Sequence, residues 1–193
     1  MVFVSVRIPY DGKNSEPGVP VGDSKLRNWK KLLAGAALLG VAFATPAMAD
    51  DPDFFVIGGG WYDFNDNEEA FDFRAEYRSG YKALGFIKPW AGIEATTEQA
   101  IYGAVGILTD LYFGRRWVVT PSFGAGLYGD GSGKDLGHTI EFRSQIELGY
   151  RFDDRSRISL AVGHISNAGL GDSNPGTEIA TIYYHIPFED IVN

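Results

Sequence analysis

Between residues 71 and 78 the chain reads Phe-Asp-Phe-Arg-Ala-Glu-Tyr-Arg, apolar at every odd position and charged at every even one. Wound as a helix, these residues would scatter charge around the whole surface. As a β-strand they give one greasy face and one charged face, because successive side chains of a strand point to opposite sides. A second copy spans residues 140 to 150, with Ile140, Phe142, Ile146, Leu148 and Tyr150 on one face and Glu141, Arg143, Gln145 and Glu147 on the other. The same period runs through nearly all of the chain beyond residue 50, broken by Gly, Asn, Asp and charged clusters. The fold class is all-β.

Eight strands are expected, near 54–64, 70–79, 83–95, 101–113, 117–128, 139–151, 156–167 and 178–188. Many reach about ten residues, the length of a tilted strand crossing a bilayer, whereas soluble strands average about five or six. Connections alternate in length. Asn65 to Glu69, Thr96 to Gln99, Gly129 to Gly137 and Ala168 to Thr177 lie at one end, and short turns such as Ser79 to Lys82 and Gly114 to Arg116 lie at the other. Aromatics including Trp61, Tyr77, Tyr81, Trp90, Tyr112, Trp117, Tyr128 and Tyr150 gather at strand ends, as membrane interfaces require. The expected architecture is an eight-stranded antiparallel transmembrane β-barrel of the outer-membrane type, whose even strand count closes the sheet and leaves no edge in lipid. Its lumen is too narrow for an open pore and is filled by the charged side chains. The competing architecture is a soluble eight-stranded barrel of the lipocalin type.

Residues 1–49 read as an N-terminal extension plus a signal peptide, and residues 50–193 as a single barrel domain. Lys25, Arg27, Lys30 and Lys31 precede an apolar run from Leu32 to Ala44, followed by Ala47-Met48-Ala49. That segment holds six of the 17 basic and three of the 25 acidic residues, leaving 11 against 22 and a net charge of about −11. Nucleic acid is an unsuitable partner for such a chain. With no cysteine, disulfides and thiolate chemistry are excluded.

Strand parity singles out one polar set. On the seventh expected strand Ile158, Leu160 and Val162 share the lipid-facing parity, and His164 and Ser166 continue it. On the eighth, Ile182, Tyr184, Ile186 and Phe188 are lipid-facing, and Glu178 falls in the same row. A hairpin centred on Gly171 sets Glu178 opposite His164, about 5 Å away between Cβ atoms. Serine, imidazole and carboxylate thereby become contiguous on the lipid side, where charged residues cost up to about 2–4 kcal/mol and need a reason to be there. With the N-terminus periplasmic, this hairpin lies near the outer leaflet, which lipopolysaccharide occupies.

His164-x-Ser166-Asn167-Ala168-Gly169, followed by Asn174-Pro175-Gly176 and Glu178, resembles the signature of the PagL-type outer-membrane lipid A 3-O-deacylases. The resemblance implies an eight-stranded barrel that hydrolyses the acyl ester at the 3 position of lipid A, releasing a 3-hydroxy fatty acid at a serine esterase site on its outer surface. It further implies Ser166 as nucleophile, His164 as general base and Glu178 as the group orienting it. Asn174, with Asn167 or the backbone at Gly169, is implied as the source of oxyanion donors. The implied partners are lipid A or lipopolysaccharide and the outer membrane, with a homodimer left open; no cofactor and no metal is implied. One departure is that Glu189 to Asn193 follow Phe188, whereas such barrels commonly end on the terminal aromatic.

Other polar groups receive structural readings. His138 and His185 are expected to be structural. The segment Gly129-Asp-Gly-Ser-Gly-Lys134 has the wrong spacing for a phosphate loop and reads as a flexible outer loop whose Lys134 could meet a lipid A phosphate. Asp72, Arg74, Glu76, Arg78, Glu141, Arg143 and Glu147 are expected to pair inside the barrel. The competing functions are a non-enzymatic barrel serving adhesion or membrane integrity, and a phospholipase or acyl-transfer activity on the same surface.

Overall fold

The computed structural model describes residues 51–65 and 69–192; the expected leader lies outside them. The strands are β1 (Phe54–Tyr62), β2 (Ala70–Arg78), β3 (Lys88–Thr96), β4 (Ile101–Leu108), β5 (Leu111–Phe113), β6 (Trp117–Gly129), β7 (Ile140–Arg151), β8 (Arg157–Ser166) and β9 (Thr177–Pro187). A single helical turn, α1 (Glu189–Val192), follows Phe188. Every neighbouring pair is antiparallel, β9 pairs with β1, and β4 pairs with β6, so the sheet closes on itself.

β4 and β5 are one stave. Leu108 lies opposite Ser122 and Leu111 opposite Val119, so the register runs unbroken across the gap between them. The gap falls at Pro121, whose missing N–H removes one rung of the ladder while its carbonyl still accepts from the Thr109 amide at 3.1 Å. The barrel therefore has the expected eight staves.

Which face is buried settles the solvent. Phe71, Phe73, Ile93, Val105 and Leu127 on the outside are each more than 60% exposed, whereas Asp72, Arg74, Glu76, Glu94, Arg143 and Glu147 inside are almost fully buried. That is the reverse of a soluble barrel. An apolar outer wall so far beyond the few hundred Å² that a soluble monomer exposes is a lipid-facing wall, and it excludes the lipocalin-type alternative. Inside, Arg74 contacts Asp72 at 2.5 Å and Glu94 at 3.0 Å; Arg78 bridges Glu76 and Glu147 at 2.9 Å each; Arg143 reaches Glu76 at 2.6 Å. The expected lumen network is present, with one exception: both carboxylate oxygens of buried Glu141 have no hydrogen-bond partner among the described residues.

Two loops differ from expectation. The strand expected from residue 83 starts at Lys88, because Leu84 and Gly85 adopt φ of 52° and 83° and fold Ala83 back onto Ile87 in a two-way backbone bridge. Lys134 also turns inward. Its Nζ lies 2.7 Å from Asp63 Oδ1, and the residue is only 8% exposed, so it caps the lumen instead of reaching outward.

Candidate active site

β8 and β9 bring the polar set together at the barrel end away from the described termini. Along β8 the burial alternates from Arg157 onward, with Ile158, Leu160 and Val162 outside and Ser159, Ala161 and Gly163 inside; His164 and Ser166 continue the outer row. On β9 the outer row holds Glu178, Ala180, Ile182 and Tyr184. The register sets His164 directly opposite Glu178. His164 Nδ1 lies 3.2 Å from Glu178 Oε1, and the two side chains are 44% and 38% exposed. With Nδ1 engaged by the carboxylate, Nε2 is left as the nitrogen that can accept a proton. Ser166 stands one step along the same row, roughly 6.6–7 Å up the strand. It is half-buried, opposite Phe142 on β7, and its hydroxyl makes no hydrogen bond among the described residues.

The loop from 167 to 176 is shaped by Asn167, which is fully buried. Its Nδ2 donates to the carbonyls of Leu136 and Ser173, both at 2.8 Å, and its Oδ1 accepts from the Gly169 amide at 2.9 Å. Its own amide donates to Asn174 Oδ1 at 3.0 Å. Ala168 and Gly169 then turn with φ of 54° and 82°, closed by a bond from the Leu170 amide to the Asn167 carbonyl at 3.1 Å. All the side-chain donors of Asn167 and the Gly169 amide are thus committed, within the loop and to the Leu136 carbonyl of the neighbouring connection. Asn174 is exposed and held by its oxygen, and its Nδ2 makes no hydrogen bond among the described residues. Of the expected side-chain oxyanion donors, this amide is the one left uncommitted among the described residues.

One neighbour was not singled out from the sequence. Gly176 has φ of 67°, and a Cβ built there would fall 2.7 Å from His164 Cε1 and 3.2 Å from Nε2. The absence of a side chain lets the imidazole lie against the backbone of the returning loop. The Asn-Pro-Gly turn was visible in the sequence, but that its glycine packs on the histidine depends on how the loop closes.

A second Ser-His-Glu group lies in the lumen. His185 Nε2 is 2.8 Å from Glu147 Oε1 and 3.0 Å from Ser159 Oγ, and Ser159 Oγ donates to the same Glu147 oxygen at 2.7 Å. Serine and carboxylate share one ring nitrogen, so no base is oriented for the hydroxyl, and all three side chains are buried. The group is packing. His138, just before β7, is tied to the first residue of that strand, accepting from the Ile140 amide through Nδ1 at 2.9 Å. Among the described residues no group of three or more His, Asp or Glu is arranged to hold a metal ion.

Comparison with known proteins bears on the same region. Residues 56–187, from the third residue of β1 to the last residue of β9, match the family model described as Lipid A 3-O-deacylase (PagL). The chain is 32% identical over 77 residues to Lipid A deacylase PagL of Bordetella bronchiseptica, covering 39% of this chain and 43% of that protein. It is 33% identical over 54 residues to Lipid A deacylase PagL of Pseudomonas aeruginosa, covering 28% of this chain and 31% of that one. These alignments span less than half the length of either relative. A crystal structure of the outer membrane enzyme PagL superposes with a TM-score of 0.53 at 18% identity, covering 69% of this chain and 99% of the other. A de novo designed transmembrane β-barrel superposes with a TM-score of 0.51 at 12% identity, over 72% and 98% of the two chains. At such identities the superpositions speak to the fold alone. The family match takes in all the residues from His164 to Glu178, and on its extent this chain belongs to the lipid A 3-O-deacylase (PagL) family.

Proposed function

We propose that this chain is an outer-membrane esterase that removes the 3-position acyl chain of lipid A, using Ser166, His164 and Glu178 on the lipid-facing wall near the outer leaflet. The observation that carries the reading is the His164–Glu178 pair, held at 3.2 Å on the outside of the barrel, with Ser166 in the same outward row. The family membership supplies the substrate. The orientation rests on loop length: the connections around the site, residues 130–139 and 167–176, have ten residues each, against three, five and nine in residues 114–116, 152–156 and 79–87 at the end with the described termini.

In this mechanism Ser166 Oγ attacks the ester carbonyl carbon while His164 Nε2 takes its proton. Glu178 accepts from Nδ1–H, fixes the tautomer and stabilises the imidazolium. The carbonyl π electrons move to oxygen, and the oxyanion meets Asn174 Nδ2; losing a donor of this kind typically costs about 10²–10³-fold in rate. Collapse breaks the bond to the sugar 3-oxygen, which leaves with the proton from His164. Water, activated by the same imidazole, then releases the fatty acid from Ser166. The decisive experiment is the lipid A mass spectrum after incubation with purified protein. It should show a product lighter by one acyl chain together with free 3-hydroxy fatty acid. Ser166→Ala should abolish both while the barrel still shifts on heating in a gel. Unchanged lipid A with folded wild-type protein, or full turnover by Ser166→Ala, overturns the proposal.

A further inference from the structure

The outward row of every strand can be read from register and burial. It runs Phe55, Ile57, Gly59, Trp61 on β1; Phe71, Phe73, Ala75, Tyr77 on β2; and apolar or glycine residues through β3, β4, β5 and β6. Tyrosines apart, which interfaces accept because one end of the ring is apolar and the other wet, four polar side chains stand in the outward rows of the described strands, and Thr109, in the gap between β4 and β5, continues that stave's outward row toward the end with the described termini. Three are His164, Ser166 and Glu178. The fourth is Ser144 on β7.

Ser144 is exposed and lies directly opposite His164, on the flank away from Glu178. Its hydroxyl makes no hydrogen bond among the described residues. An unpaired hydroxyl facing hydrocarbon is disfavoured by about 1–3 kcal/mol, and the neighbouring outward positions of β7, Phe142 and Ile146, are apolar. His164 does not need it, since Nδ1 is taken by Glu178 and Nε2 is assigned to Ser166 in the mechanism proposed above. The hydroxyl is therefore left for the substrate.

We infer that Ser144 is a specificity-determining residue that hydrogen-bonds the 3-hydroxyl of the acyl chain being removed. This rests on the esterase reading given above. Ser166 and Ser144 are diagonal neighbours across the β7–β8 pair, with Cβ atoms about 7–8 Å apart or somewhat less. The carbonyl carbon sits about 3–3.5 Å from the attacking oxygen, and a hydroxyl–hydroxyl bond spans about 2.7–2.8 Å. Between them fits the short link from the carbonyl carbon to the oxygen on the third carbon. Beyond Ser144 the wall becomes apolar, with Ile146 opposite Val162 and Leu148 opposite Leu160, all about half exposed. One hydroxyl beside the scissile carbonyl and an alkyl track after it match a 3-hydroxyacyl chain more closely than a plain one.

The test uses para-nitrophenyl esters of 3-hydroxydecanoic and decanoic acid with the full barrel in detergent micelles. Wild type should prefer the hydroxylated ester. Ser144→Ala should lower that preference, as the ratio of the two kcat/KM values, by about tenfold, the worth of one hydrogen bond. Ser144→Thr, which keeps a hydroxyl, should retain it. An unchanged ratio in Ser144→Ala overturns the inference, and so does an equal loss on both esters, which marks Ser144 as a support for His164. If wild type turns over neither these esters nor lipid A, the esterase reading itself fails; if it turns over lipid A and only the ratio stays fixed, this inference alone fails.

Discussion

Gly176 offers the sharpest test of the site, because its effect can be worked from distances. An alanine Cβ at this position would lie 2.7 Å from His164 Cε1 and 3.2 Å from Nε2, with the Ile165 carbonyl 3.3 Å away on another side. Carbon atoms rest at about 3.5–4.0 Å, so the ring must retreat by about 0.8–1.3 Å. The loop cannot give way freely, since Asn167 fixes it at the Leu136 and Ser173 carbonyls. Misplacement of a catalytic group by about 1 Å costs on the order of a hundredfold, equivalent to about 2.7 kcal/mol of barrier at about 1.36 kcal/mol per decade. Gly176→Ala also places an L-residue at positive φ, a further cost of about 1–2 kcal/mol to stability. Gly114 separates the two effects: it has the same φ of 67° but nothing within 4 Å of a built Cβ, in the turn at the other end of the barrel. Release of 3-hydroxy fatty acid from lipid A, followed by mass spectrometry, should fall about a hundredfold in Gly176→Ala and stay at the wild-type rate in Gly114→Ala, with similar losses of stability to urea. Wild-type turnover in folded Gly176→Ala would refute the assignment of His164 as the base.

Asn167 and Asn174 should part company. Asn167→Ala strands two carbonyls and an amide, at about 1–3 kcal/mol for each group left unpaired, so urea stability and turnover should fall together; Asn174→Ala should lose about a hundredfold in rate with little change in stability, and an active Asn174→Ala would remove it from the oxyanion site. In the lumen, Glu76→Gln leaves Arg143 without its carboxylate partner and should cost about 3–5 kcal/mol in unfolding titrations; an unchanged midpoint would mean that the network carries no coupled charge. At the end with the termini, the Tyr77 hydroxyl and then the Gly80 amide donate to Asp53 and hold its carboxyl below the ordinary 3.8. A folded value below the unfolded one stabilises above the unfolded value and is lost as pH falls through the folded one. The stability advantage of wild type over Asp53→Asn should thus be flat near neutral pH and shrink below about pH 3.8; an advantage that grows on acidification contradicts the assignment.

Much of this site is legible in sequence because β-structure has an integer period. Parity alone puts His164, Ser166 and Glu178 in outward rows, and counting back from a hairpin centred on Gly171 gives the His164–Glu178 pairing found in the register. Parity also separates the catalytic candidate from the buried Ser159–His185–Glu147 group. Turn chemistry is less legible. Ala83 to Ile87 is an apolar run that reads as the start of a strand, yet Leu84 takes φ of 52° and reverses the chain. Propensity hides this, because leucine rarely takes a positive φ and the Ala83–Ile87 bridge that closes the reversal has no local sequence sign.

The remaining misses share one cause: they are contacts between segments whose separation carries no local signal. Lys134 sits in a Gly-rich run that reads as a mobile outer arm, but its partner Asp63 is 71 residues away and across the mouth of the barrel. Asn167 resembles an oxyanion donor when read beside Gly169 and Asn174. Only the Leu136 carbonyl, 31 residues upstream, turns its amide into a strut. Ser144 differs from both. The outward face of its strand runs Ile140, Phe142, then Ile146, Leu148 and Tyr150, and the skipped even position is the signal. In a soluble strand one serine among apolar residues is unremarkable, since a hydroxyl can share the core with a backbone carbonyl. On a wall bathed in hydrocarbon there is no spare partner, so a polar outward residue needs one on the wall, as His164 has in Glu178, or in a ligand. Applied to the wall formed by β7, β8 and β9, that argument selects a contiguous group of four residues, and the family signature names only three of them.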